Sequence, residues 1–410
     1  MPEVQTVASV MSKRLHQKAL MRLSEASSAP VMRPHAPAIV DWRPDKWRIC
    51  IVIPKYWGTK MGGAQYQGKL IYEHLKAMPE VDVHFVGRRI RAESLSDPHI
   101  HNVGRGHPIG GSFLADTPRF LATLRTLRPD VIYQRVACTY TGLAALYARR
   151  YGARLVWHAA HDSDVKPAPR LGKGLKSIVR RLDDRLIDFG IRHADTIIAQ
   201  TYHQSTLLEE NLGLIPTAVI PNFHPAPVSR IDKDPNSVLI AWVANIKPFK
   251  RPELFVRLAR EFGERDDVKF VMVGAPPLAD PAWPALAAEI AATPNLSYLG
   301  ALPQESVNDL LHRAHIFVNT STAEGFANTF IQSWMRGVPV LSLSVDPDGL
   351  LSSGKYGLFA NEDYDVLRNL MHRLISDTGL RSRLGENAAA YALSSHSVSN
   401  MDRLIHLLLP

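Results

Sequence analysis

Residues 322–339, TAEGFANTFIQSWMRGVP, carry one carboxylate, Glu324, and one carboxamide, Gln332, eight positions further on. The run HIFVN (315–319) before them is apolar enough for a buried strand, and TSTAEGF reads as the loop leaving it. Asn328 is placed to cap a helix that runs to Arg336 and stops at Gly337. That order sets Glu324 on the rim of a crevice. The first N–H groups of a helix have no intrahelical acceptor and lie at the positive end of its dipole. Gly325, Phe326, Ala327, Asn328 and Thr329 therefore form a candidate anion site that suits a diphosphate. Glu324 would accept hydrogen bonds from the hydroxyls of a sugar, and Gln332 would bond a further hydroxyl such as a ribose offers. Solvated residues beside an ordinary helix start fit the same letters. An acid/base pair of the glycosidase kind does not, because it needs two carboxyl groups and position 332 is an amide.

Three other stretches hold residue types that do chemistry. Gly62 and Gly63 lie between an apolar run (48–53) and a helix opening at Ala64 with the stripe Leu70, Ile71 and Leu75. A glycine pair there lets backbone approach a ligand, and a plain turn explains it almost as well. Neither GTKMGG nor GRGHPIGG has the spacing of a P-loop or of a dinucleotide fingerprint. WHAAHDSD (157–164) brings His158, His161, Asp162 and Asp164 to a strand end, but successive strand residues alternate faces, which argues against a shared metal. RLGKGLKSIVRRLDDRLIDFGIRH (170–193) spaces Leu175, Ile178, Val179, Leu182 and Leu186 along one helical stripe. Lys173, Lys176, Arg180, Arg181 and Arg185 surround it. Such a helix either packs its stripe into a core or lies on an anionic membrane.

The elements that must position these residues alternate regularly. Short apolar runs at 48–53, 81–86, 130–134, 154–158, 196–200 and 218–221 read as buried parallel strands separated by helical stretches. A second series follows at 238–243, 269–274, 296–300, 315–319, 339–343 and 357–359. The expectation is α/β architecture with two doubly wound parallel sheets, and open sheets of this kind bind ligands at the carboxyl ends of their strands. Residues 1–46, rich in Arg, His, Ser, Ala and Pro, read as a loosely held tail. The domains are expected at 47–223 and 238–392, with 224–237 as linker and 393–410 as a terminal helix packing back on the body. A net charge of +9 favours an anionic partner without choosing one. Two cysteines exclude a disulfide framework and suit a reducing compartment. No apolar run reaches the roughly 18 residues of a membrane span, and the start lacks the apolar block of a secretory signal, so the cytoplasm is expected.

AEGFANTFIQSWMRGVPVL resembles the E-x7-E segment of the retaining glycosyltransferases of family 4 (glycosyltransferase group 1), with Gln332 where many members carry the second Glu. GGAQYQGKLIYEHL (62–75), HD (161–162), VIPNF (219–223), NIKPFKRPELF (245–255) and KFVMVGAPP (269–277) match further pieces in order, so the resemblance spans roughly residues 47 to 400. It implies a GT-B fold, two Rossmann-like domains facing a cleft, with a nucleotide-sugar donor held by the second and the acceptor by the first. It implies a cationic clamp for the donor diphosphate in which Lys250 matches the family's Lys, while Asn245 stands where its Arg is expected. Lys247 or Arg251 would then supply charge. It also implies that His161, beside Asp162, lies near the reacting sugar, that no metal or other cofactor is needed, and that the triplet DPD (346–348) is a loop near the donor.

The function expected is therefore transfer of a sugar, with retention, from a nucleotide diphosphate donor to a hydroxyl of a glycan or lipid-linked acceptor, in cell-envelope glycan or glycolipid synthesis. An anionic membrane surface is a candidate partner and nucleic acid is not, since the basic residues lack an interleaved aromatic platform. Two rivals stand beside it: a nucleotide-sugar epimerase of the same architecture, and a non-catalytic member that binds a nucleotide sugar or polyanion.

Overall fold

The computed structural model describes residues 46–59, 61–104, 113–165, 175–228, 233–277 and 280–409. The expected N-terminal tail, most of GRGHPIGG, and Lys173 at the head of the basic helix lie outside the described residues, as do 229–232 of the expected linker. The chain divides into two compact units, residues up to Val219 with the last four residues, and Ile220–His406.

In the first unit β1 (Trp47–Lys55), α1 (Gly63–Lys76), β2 (Val81–Arg88), β3 (Ile100–Gly104), α2 (Thr117–Leu127), β4 (Val131–Arg135), α3 (Thr139–Tyr151), β5 (Arg154–His158), α4 (Leu175–Arg192), β6 (Thr196–Ala199), α5 (Tyr202–Leu212) and β7 (Ala218–Val219) follow one another. The strands pair in parallel in the order β3-β2-β1-β4-β5-β6-β7. Ile49 through Ile53 are fully buried, as a central parallel strand covered by helices on both faces requires. The two cysteines, Cys50 on β1 and Cys138 before α3, both belong to this core. Strand β3 (IHNVG) was not among the expected strands. It lies at the sheet edge, where only Ile100, Val103 and Gly104 are buried, so its sequence never shows a continuous apolar run.

The second unit continues with β8 (Val238–Val243), α6 (Pro252–Glu261), β9 (Val268–Val273), α7 (Trp283–Ala291), β10 (Leu296–Tyr298), α8 (Gln304–Arg313), β11 (Ile316–Asn319), α9 (Asn328–Trp334), β12 (Val340–Ser342), β13 (Gly357–Phe359), α10 (Tyr364–Ser376) and α11 (Thr378–His396). Its six strands are again all parallel, in the order β10-β9-β8-β11-β12-β13. The terminal helix expected over 393–410 is divided: residues 393–396 complete α11, and α12 (Asp402–Leu408) follows a short 3-10 turn.

Both sheets are the doubly wound α/β type that the alternation predicts. In each, the strand order reverses beside the first strand, between β1 and β4 and between β8 and β11. At such a point the two strands' following segments diverge to opposite faces and leave a crevice at the carboxyl edge. Gly62 and Gly63 follow β1. Asn245 and Lys250 follow β8, and Glu324 follows β11.

Candidate active site

Two loops meet at the switch point of the second unit. The first leaves β8 through Ala244 and Asn245, makes a 3-10 turn at Pro248–Lys250, and enters α6 at Arg251 and Pro252. Arg251 sits in the left-handed region (φ 46°), which non-glycine residues rarely adopt, and its own side chain holds it there. Nε donates to Thr320 O (3.0 Å) and Nη2 to Ser344 Oγ (2.6 Å). The second loop leaves β11 through Asn319, Thr320 and Ser321, which are 5%, 0% and 1% exposed, too deeply buried for an ordinary surface loop.

Buried polar groups must find partners, and here the partners tie one loop to the other. Thr320 Oγ1 accepts from Trp242 Nε1 (3.0 Å) and donates to Lys250 O (2.7 Å), while Thr322 N donates to Phe249 O (2.9 Å). The result is an ion pair. Lys250 Nζ lies 2.5 Å from Glu324 Oε1, with the two side chains 14% and 16% exposed. The same oxygen accepts from Ser321 Oγ (2.9 Å) and Asn319 Nδ2 (3.2 Å). Lys250 Nζ also stands 5.1 Å from the Phe249 ring centroid. Asn245 is half-buried on the same loop. Behind it a Cβ on Gly274 would come 1.7 Å from Ala244 O, so only glycine lets the end of β9 pass so close to the β8 loop.

The stretch from Gly325 to Thr329 is anchored from its inner side. α9 starts at Asn328, with Ala327 rather than Asn328 as its cap, and no side chain caps it. Asn328 instead bonds His224, whose Nε2 lies 3.0 Å from its Oδ1. Asn222 Nδ2 donates to Phe326 O (3.2 Å), and His396 Nδ1 donates to Asn222 O (2.9 Å). The Phe326 ring is buried against His396 and Trp334, so this residue offers a ligand its backbone and not its ring. Burial pushes the His224 imidazole down to about 3 and that of His396 to about 4, so both are neutral struts. Gln332 is 3% exposed. Its Nε2 donates to Asn308 Oδ1 (3.0 Å), which spends the amide on holding α9 to α8. In the DPD triplet, Asp346 accepts from the N–H groups of Leu351 (2.7 Å) and Ser352 (3.0 Å) and so closes its own loop.

In the first unit, Gly62 caps α1 in extended conformation (φ −154°), and Gly63 begins the helix. A side chain at Gly62 would meet only the mobile end of Gln65, so the backbone itself does not demand glycine there. Beyond β5, His161 Nδ1 accepts from Ser163 N and Ser163 Oγ, both at 3.2 Å. Asp162 does not bond His161; it accepts from Gln204 Nε2 (2.9 Å). Asp164 accepts from the N–H groups of Ala160 (2.8 Å) and His161 (3.1 Å), and burial raises its carboxyl above the usual range. His158 is fully buried, with its Nδ1 2.8 Å from Tyr133 Oη and 3.3 Å from Arg135 Nη1. The four residues of WHAAHDSD thus point to separate partners, and among the described residues no group of three or more His, Cys, Asp or Glu could hold a metal ion.

Sequence reasoning named Lys250 and Glu324 without foreseeing their contact. It missed Trp242, Thr320, Ser321, Asn222, His224 and His396. The signal available was the polar run NTST directly after a fully apolar strand, where a loop that stays buried must be hydrogen-bonded throughout.

The signature described as "Glycosyl transferase 4-like domain" matches residues 39–222, and that described as "Glycosyl transferases group 1" matches 237–377. The chain is 25% identical over 260 residues to a D-inositol 3-phosphate glycosyltransferase of Nocardia farcinica, a match covering 57% of this chain and 56% of that one. It is 24% identical over 345 residues to the Salinispora arenicola enzyme of the same name, covering 73% and 75%. The chain spans about half the length of most of the curated relatives it matches. Among solved structures, Anabaena Alr3699/HepE in complex with UDP and glucose superposes with a TM-score of 0.67 at 17% identity, over 88% of this chain and 99% of that one. A glycosyltransferase from Rickettsia africae superposes with a TM-score of 0.68 at 14% identity, over 89% and 98%.

Proposed function

Because the chain belongs to the group 1 glycosyltransferases, we propose that it transfers a hexosyl group from a nucleotide diphosphate sugar to a hydroxyl acceptor with retention of configuration. The observation that carries the reading is the Lys250–Glu324 pair at the switch point of the second sheet. An ammonium has three donors. Lys250 can keep Glu324 on one and give the others to the donor's phosphates, where negative charge grows as the glycosidic bond breaks. The N–H groups from Gly325 to Thr329 would take the remaining phosphate oxygens, and Asn245 would bond the donor without adding charge. Glu324 Oε2 would accept from the sugar's hydroxyls. Gln332 then acts from behind, by seating α9.

No second carboxylate stands near as a nucleophile in this reading. The departing phosphate takes the acceptor's proton on the same face, and the protein contributes position and charge. His161 and the Gly62–Gly63 turn would serve the acceptor side. No metal is required, because the ammonium and amides perform the charge neutralisation. We place the reaction in cell-envelope glycan or glycolipid synthesis, at the inner face of a cytoplasmic membrane. Among the described residues no helix is long and apolar enough to cross a membrane, and α4 presents Ile178 and Leu182, 54% and 53% exposed, beside the exposed Arg181 and Arg185.

The test is a thermal-shift panel of UDP, GDP, ADP and their sugars, followed by transfer assays with the donor that binds. One nucleotide should raise the melting temperature, by an amount that grows with the logarithm of its concentration over its dissociation constant. Lys250→Ala should lower turnover by about 100-fold or more while circular dichroism is unchanged. Undiminished transfer by that variant would refute the reading.

A further inference from the structure

Arg251 stands where the local backbone would favour another residue. It closes the 3-10 turn that carries Lys250 and is also the cap of α6, at φ 46° and ψ 55° and with no side-chain cap bond. Glycine reaches that conformation without steric cost, and glycine or a short polar residue caps a helix better than arginine does. A strained residue persists only where its surroundings over-determine it.

Here the surroundings are two other loops. Nε donates to Thr320 O (3.0 Å), where the chain leaves β11, and Nη2 to Ser344 Oγ (2.6 Å), where it leaves β12. Strands β8, β11 and β12 are neighbours in the sheet, so one side chain bridges three adjacent loops at its carboxyl edge. Thr320 returns the bond: fully buried, it donates from Oγ1 to Lys250 O (2.7 Å) while accepting from Trp242 Nε1 (3.0 Å). The Lys250–Arg251 segment and the Glu324 loop are clasped in both directions.

A helix start alone does not call for this arrangement. Glycine at 251 would begin α6 with less strain, and the β8 and β11 loops are already joined through backbone by Thr322 N, which donates to Phe249 O (2.9 Å). What the guanidinium adds is a planar fork that sets Thr320 and Ser344 at a fixed spacing, which a lysine could not do. Lys250 directly precedes Arg251, and Glu324 lies four residues beyond Thr320, so the clasp bears on both ends of the ion pair. Expected from the sequence as further charge for the diphosphate, the guanidinium is spent instead on two neutral oxygens.

We propose that Arg251 is a positioning residue for sugar transfer: its side chain clasps the loops after β11 and β12 to the loop after β8, and so fixes where the Lys250 ammonium stands against the donor diphosphate. The proposal rests on the reading of Lys250 and Glu324 given above. Arg251 acts through its neighbours and touches no reacting atom. Misplacing a group of this kind by about 1 Å can cost about 100-fold in rate, and the loss falls on kcat more than on KM.

The experiment replaces Arg251 by glycine in the full-length chain, which removes the fork and relieves the strain together. Release of nucleotide is followed from UDP-glucose, GDP-mannose and ADP-glucose with water as acceptor. Arg251→Gly should keep the circular dichroism of the unaltered chain and lower kcat about tenfold or more, with the donor KM within about threefold. Millimolar ethylguanidinium should restore part of kcat and ethylammonium should not, because only the first brings a fork of donors. Ser344→Ala cuts one end of the clasp and leaves residue 251 intact; it should lower kcat by less, and add little to Arg251→Gly in the double variant. The indole N–H resonance of Trp242, identified by Trp242→Phe, reports the place of Thr320 Oγ1 without any turnover. It should shift in Arg251→Gly and move back with ethylguanidinium. Undiminished kcat in Arg251→Gly, or a Trp242 resonance that does not move, would overturn the proposal. Failure of the functional reading looks different: the unaltered chain consumes none of the three donors, and the Trp242 resonance alone then decides whether the clasp exists.

Discussion

At the scale of single residues, the carboxylate of Glu324 does two things that substitution can separate. It accepts three hydrogen bonds on one oxygen, and it neutralises Lys250. Glutamine keeps an acceptor of the same shape and removes the charge. Glu324→Gln should therefore leave the loops in place and cost about 10- to 100-fold in turnover. The double variant with Lys250→Ala should fall little below the worse single one, because the two act as a unit. A double-mutant cycle on turnover checks this, and strictly additive losses would mean the two residues act independently. Both residues were legible in the sequence because charged groups on loops after apolar strands stand out. Gln332 was misread as ligand-facing for the opposite reason: an amide on a helix looks exposed until the partner that buries it, Asn308 from α8, is known.

At the scale of elements, α3 and α4 explain how the apolar stripe of α4 comes to be partly bare. The two helices approach closely at Gly142 and Gly190: a Cβ on the first would lie 2.2 Å from Leu186 O, and on the second 2.5 Å from Thr141 O. Thr139, the first residue of α3, donates to Asp183 Oδ1 at 2.6 Å. Residues 175–182 therefore run past the start of α3 by about 12 Å at 1.5 Å per residue. On this overhang no helix among the described residues covers Ile178 and Leu182. The full chain should co-sediment with vesicles containing about a third anionic lipid and not with neutral ones. Each arginine near the surface contributes about 1 kcal/mol, and Ile178→Glu with Leu182→Glu should abolish the binding. Co-sedimentation that ignores lipid charge would remove the membrane from the proposal. Apolar periodicity revealed the helix; its exposed end depends on where a neighbouring helix begins, which no local pattern encodes.

At the scale of the whole molecule, the repeated doubly wound order was legible because fully buried parallel strands must be apolar throughout, and the edge strand β3 was not, because it is only half covered. Neutral buried histidines also give the fold a direction in pH. In the unfolded chain His224 and His396 take up protons near 6.5, whereas the folded unit resists until about 3 and about 4. The unfolded state thus binds more protons in between, so stability is complete above about pH 6.5 and drains away as pH falls toward 4. Melting temperatures measured from pH 7.5 to 4.5 should decline over that window, and His396→Gln, which can still donate to Asn222 O, should flatten the decline. The two cysteines offer a different use of burial. Cys50 and Cys138 are the chain's whole complement of thiols, and desolvation raises the Cys50 pKa and pushes that of Cys138 up to about 12. A thiolate-seeking dye therefore finds nothing in the native protein, and the colour it develops clocks the opening of the first unit alone, with no engineered label.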